Sequence, residues 1–174
     1  MIYLDNAATT LYKPRAVEQA VRRAMYGAAG YARGGYAAAN RAGELVYACR
    51  EQAAALFGVG EPERVIFTLN ATHALNIAIN ALVKPDSRVI VSGYEHNAVM
   101  RPLTARNIEP TVLDTPLWDG AAMVSALKQA LEHGADLMIL SHVSNVFGSI
   151  APLDEIAELL TAAGVPLILD ASQS

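Results

Sequence analysis

Between residues 65 and 80 the hydrophobic period of the chain changes in mid-course, and this restricts the possible fold more than any other stretch. Residues 65–69, Val-Ile-Phe-Thr-Leu, are β-branched and aromatic, the composition of a short strand, whereas after Asn70 the apolar Leu75, Ala78, Ile79 and Leu82 recur at helical spacing. The reading is a strand, a tight turn and a helix start. The first amides of such a helix lack carbonyl partners and the helix dipole adds partial positive charge there. A phosphate over Ala71, Thr72 and His73 is therefore one use of the turn, with the Thr72 hydroxyl as a further donor. The other use is plain capping by Asn70 or Thr72. The local residues leave both uses open.

Upstream, Pro14 suits a first helical turn, and Val17, Ala20, Val21, Ala24 and Met25 form one apolar face. A glycine-rich loop with Tyr31, Arg33 and Tyr36 follows, either a connector or a wall of a site. A second helix is expected from about Gly43, with Leu45, Cys49, Ala53 and Leu56 on one face and Gly58 as its stop. On that stripe Cys49 reads as a buried, inert thiol.

Downstream, strands are expected over residues 88–92, 111–114, 137–141 and 167–170, alternating with helices over 97–107, around 123–131 and over 152–163. Near-continuous apolar strands separated by helices predict an α/β fold: a mostly parallel sheet with helices on both faces. Ligands of such sheets sit outside the carboxyl ends of the strands. The residues just past those ends, 70–73, 95–97, 142–145 and 170–173, form four largely polar groups expected to converge on one edge. Singly, His96 and His142 also read as loop histidines and Asn145 as a turn residue.

With 174 residues, 53% of them hydrophobic, the chain can bury one sizeable core. Its net charge of -4, with Lys and Arg scattered singly, gives no stripe to follow a nucleic-acid backbone. No apolar run approaches a membrane span, and the start carries no long apolar leader segment, so a cytoplasmic protein without membrane attachment is expected. One cysteine and the absence of metal-ligand spacing around His73, His96, His133 and His142 argue against disulfides and a structural metal.

Five motifs in order, YLDNAATT, FTLNATHALN, EHNAV, SHVSNVFG and LILDASQS, resemble those of the class V aminotransferase family of fold-type I, pyridoxal-phosphate-dependent enzymes, and within it most the cysteine desulfurases. The resemblance runs the length of the chain. It implies an N-terminal arm over residues 1–14 and, over 15–174, an incomplete, truncated large domain lacking its last strands and small domain. It implies a homodimer in the full-length protein, pyridoxal phosphate as cofactor, a small amino acid, cysteine, as substrate, and sulfur transfer from it by way of a cofactor aldimine. Carried over residue by residue, it gives Ala71, Thr72 and His73 to the cofactor phosphate, His96 to stacking on the ring, Asn145 and Gln173 to the phenolic oxygen side, and Asp170 to the pyridinium nitrogen. A carboxylate at that nitrogen keeps it protonated and the ring an electron acceptor. One departure is large: the family's Ser-x-His-Lys lysine and its later sulfur-accepting cysteine have no match, and Lys13, Lys84 and Lys128 sit in no such motif. The chain alone is thus expected to be inactive. A selenocysteine lyase, a transaminase or a non-catalytic partner module are the other readings.

Overall fold

In the computed structural model, residues 2–6 and 9–174 are described, and the chain divides into two compact units, Met1–Phe67 and Thr68–Ser174. The arm expected over residues 1–14 includes Met1, Ala7 and Ala8, which lie outside the described residues.

The first unit holds helices α1 (Arg15–Gly27) and α2 (Ala37–Phe57) and a single 3-10 turn at Pro62–Arg64. Pro14 stands at the N-cap of α1, and Gly58, in the left-handed region at φ 66°, ends α2. The second helix begins at Ala37, six residues before the start expected at Gly43, because Ala37, Ala38 and Ala39 are strong helix formers that carry no start signal beyond Tyr36. Cys49 is exposed and not buried as its stripe suggested, since Leu45 and Leu56 beside it are open to solvent as well. No residue of α1 is buried.

The second unit carries the sheet. Its elements are α3 (Ala71–Leu82), β1 (Val89–Ser92), α4 (Asn97–Ala105), β2 (Thr111–Leu113), α5 (Gly120–Glu132), β3 (Leu137–Ser141), α6 (Leu153–Ala163) and β4 (Leu167–Asp170). The four strands are parallel in the order β2-β1-β3-β4, with Val91 opposite Val112 on one side and Ile139 on the other. The α/β class with helices on both faces is therefore as expected.

Strand alternation sorts the core into two layers. Val89, Val91, Leu137 and Ile139 face α3 and α4 through Leu75, Ile79, Val99 and Leu103, whereas Ile90, Met138 and Leu140 face α5 and α6 through Met123, Leu127, Ile156 and Leu160. Each such side chain, taken fully out of water, contributes about 1.5–3 kcal/mol before entropy is counted. Arg106 joins the ends of α4 and α3, donating to Asn80 Oδ1 at 2.9 Å and to the Val83 carbonyl at 2.6 Å. Pro102 lies inside α4, buried.

One expected strand is not formed. Residues 65–69 pair with no strand among the described residues, and Ile66 and Leu69 are 68% and 88% exposed. A β-branched composition prepares a segment for a sheet, but only a partner's hydrogen bonds make it a strand. Among the described residues, no helix is long and apolar enough to cross a membrane.

Candidate functional site

The second unit is wound so that the chain leaves β1 for β2 and then returns past β1 to β3. Adjacent strands β1 and β3 thus send their following helices, α4 and α6, to opposite faces of the sheet. Such a switch point is where open parallel sheets take ligands. A cavity of about 190 Å³ lies beside it, lined by Ala71, Thr72, His96, Asn145, Asp170 and Gln173, with Leu75, Ala98 and Val143 as apolar surface and Ser141 and Ser172 as further hydroxyls.

Six of the seven site residues read from the sequence therefore meet at one cavity. His73 is the exception and does not line it. Its amide donates to Asn70 Oδ1 at 2.9 Å, so the capping use of Asn70 is realised and takes the His73 N–H. Its Nδ1 accepts from the Leu69 amide at 3.4 Å. The Ala71 and Thr72 amides, first in the helix, have no intrahelical acceptor and border the cavity. Capping and anion binding are thus compatible: Asn70 takes one early donor and leaves two.

His96 is the N-cap of α4, its Nδ1 accepting from the Ala98 amide at 3.0 Å. A nitrogen that accepts carries no proton, so the neutral imidazole in this pose has its N–H at Nε2. Asp170 ends β4. Its Oδ1 accepts from the Ser172 amide at 3.0 Å and from the Ser172 hydroxyl at 2.5 Å, and among the described residues its Oδ2 has no partner. The β3–α6 loop that carries Asn145 is folded on buried Ser144, whose Oγ accepts from the Val146 and Phe147 amides at 3.4 and 3.3 Å and whose amide donates to the Ser149 carbonyl at 2.9 Å.

Glu95 was legible only as one polar residue of a loop. Its carboxylate lies between the ends of β1 and β3, accepting from Ser92 Oγ at 2.5 Å, from the Ser141 amide at 3.0 Å and from Ser141 Oγ at 2.8 Å. Burial pushes its carboxyl above the ordinary carboxylate range, and the hydrogen bonds from Ser92 and Ser141 pull against that shift. No sequence period marks Ser92 and Ser141 as its partners, because they are 49 residues apart and meet only through strand pairing.

Residues 2–174 match the family described as Aminotransferase class-V. The chain belongs to the class V aminotransferase family. It is 34% identical over 181 residues to a probable cysteine desulfurase of Chlamydia muridarum, a match covering 99% of this chain and 44% of that protein. To the cysteine desulfurase IscS of Shewanella loihica it is 35% identical over 182 residues, 99% of this chain and 45% of the relative. The fold is similar to that of an apo cysteine desulfurase from Thermococcus onnurineus NA1, with a TM-score of 0.86 at 25% identity, covering 99% of this chain and 44% of the other. It is also similar to DndA from Streptomyces lividans, with a TM-score of 0.76 at 33% identity, covering 99% and 50%. The chain thus spans a little under half the length of the curated relatives it matches. Class V aminotransferases and cysteine desulfurases depend on pyridoxal phosphate.

The cavity residues fit that cofactor. Two amides without acceptors at the start of α3 suit a phosphate, the open Oδ2 of Asp170 suits a protonated ring nitrogen, and Leu75, Ala98 and Val143 suit an aromatic ring.

Proposed function

We propose that this chain forms the cofactor-binding part of a pyridoxal-phosphate-dependent enzyme of the cysteine desulfurase type, acting on L-cysteine in the cytoplasm as a homodimer. The observation that carries this reading is the meeting of the α3 terminus, His96, Asn145, Asp170 and Gln173 at one cavity beside the switch point. When bound, pyridoxal phosphate supplies an electron sink for a carbanion at the substrate.

The roles proposed for the protein's own groups follow from their placement. The Ala71 and Thr72 amides and the Thr72 hydroxyl bind the phosphate and fix one end of the cofactor. Asp170, held in its rotamer by Ser172, offers Oδ2 to the ring nitrogen and keeps a proton there. Asn145 and Gln173 hydrogen-bond the phenolic oxygen side. His96, oriented by its own helix cap, would stack on the ring. His73 takes no direct part, because its amide is committed to Asn70.

Sulfur removal also needs an amine for the cofactor aldehyde and a thiol for the sulfur. Lys84 and Lys128, the lysines of the second unit, do not line the cavity, and the proposal is that this chain is a cradle without its lysine. Incubation with pyridoxal phosphate, borohydride reduction and peptide mass spectrometry tests this. Scattered, substoichiometric labelling with no sulfide released from cysteine is expected. Stoichiometric trapping on Lys13, Lys84 or Lys128, with sulfide release, would overturn it.

A further inference from the structure

Glu95 has no role in the reading above, yet its position asks for one. Past β1 and β3 the chain turns to opposite faces of the sheet, and the cavity lies beside that point. The backbone ladder joining the two strands stops at Val91 and Ile139. Beyond it, the Glu95 carboxylate takes the Ser92 hydroxyl from β1 and both the amide and the hydroxyl of Ser141 from β3. The loop leading to it is pinned independently: the Gly93 amide donates to the Leu113 carbonyl at 3.2 Å, the Tyr94 amide to Ser92 Oγ at 3.2 Å and the Tyr94 hydroxyl to the Thr115 carbonyl. His96 follows at once, capping α4 and bordering the cavity, as Ser141 does.

We propose that Glu95 is a positioning residue for His96: by tying the end of β1 to the end of β3 across the switch point, its carboxylate fixes where the imidazole stands at the cavity. Three donors converge on it, and removing it leaves the buried Ser92 hydroxyl and the Ser141 amide without their acceptor. An apolar residue would pack there without the desolvation that Glu95 bears, so what distinguishes a carboxylate is its acceptors. The proposal deepens the cofactor reading and rests on it for the use to which His96 is put.

The test compares Glu95→Ala and Glu95→Gln with the wild-type chain by two measurements. Hydrogen exchange without cofactor follows the amides of Ala98 and Ser141 against those of Ile90 and Val91 in the same sheet. Equilibrium dialysis measures pyridoxal phosphate affinity. Glu95→Ala is expected to speed exchange at Ala98 and Ser141 about tenfold, to leave the strand interior unchanged and to weaken cofactor binding about tenfold. Glu95→Gln, which keeps an oxygen at Oε1, is expected to restore most of both. A uniform rise in exchange through β1 and β3, or Ala98 exchange unchanged in Glu95→Ala, would overturn the proposal and leave Glu95 a stabilising residue only. Should the wild-type chain hold no cofactor, the proposed function fails, and the exchange at Ala98 alone still decides whether Glu95 positions His96.

Discussion

At the scale of single residues, Asp170 divides its carboxylate between two tasks. Oδ1 holds the turn after β4 through Ser172, and Oδ2 is left for the ring nitrogen of the proposed cofactor. Asp170→Asn keeps an oxygen for the turn but offers no charge, so it is expected to unfold near the wild-type temperature and to bind pyridoxal phosphate about tenfold more weakly by equilibrium dialysis. Glu95 gives a pH prediction. Burial outweighs the three hydrogen bonds its carboxylate accepts and raises its carboxyl above the unfolded value, so ionisation removes stability as pH rises from the unfolded value to the folded one. Glu95→Gln never ionises. Urea titrations across the acid range should therefore show the variant gaining on the wild type with rising pH and a constant difference below the ordinary glutamate range. A difference that shrinks with rising pH would contradict the sign. Asn70 caps the helix whose first residues line the cavity: Asn70→Ala is expected to cost about 1 kcal/mol in chemical unfolding.

Among the elements, the turn between α5 and β3 is the most restricted. Gly134 has φ 77°, and a Cβ there would stand 2.3 Å from Arg88 Nη1, the nitrogen that donates to the His133 carbonyl. Arg88 also pairs with Asp136, whose carboxyl its amide and guanidinium hold below the usual range. Gly134→Ala is expected to cost more than about 1 kcal/mol of unfolding free energy in urea titrations, because backbone strain and displacement of the guanidinium add. Sequence period was a good guide to elements whose partners lie in the same unit: β3 and β4 are where their apolar runs end, and Gly164 stops α6 at φ 67°. It failed where context decided. The run 65–69 has strand composition without a partner, α2 starts on alanines that bear no cap signal, and the Cys49 stripe faces solvent. Within the site, motif order pointed to Thr72, His96, Asn145, Asp170 and Gln173, whereas the Glu95 tie was invisible because its donors come from two strands brought together by pairing.

At the scale of the whole molecule, the first unit leaves Val21, Met25, Leu56 and Phe57 exposed, at 54%, 74%, 78% and 74%. Apolar surface of this kind marks association sites. Light scattering over a concentration series is expected to show self-association, and a monomer of constant mass at all concentrations would contradict that. The central claim is that the cavity beside the β1–β3 switch point is a pyridoxal phosphate cradle built from this chain's own residues. Hydrogen exchange with and without pyridoxal phosphate, read peptide by peptide, tests it most directly. Saturable protection confined to the start of α3, the His96 turn, residues 141–145 and residues 170–173, abolished by Asp170→Ala together with Thr72→Ala, is the result expected. Protection elsewhere in the chain, or none at saturating cofactor, would contradict it.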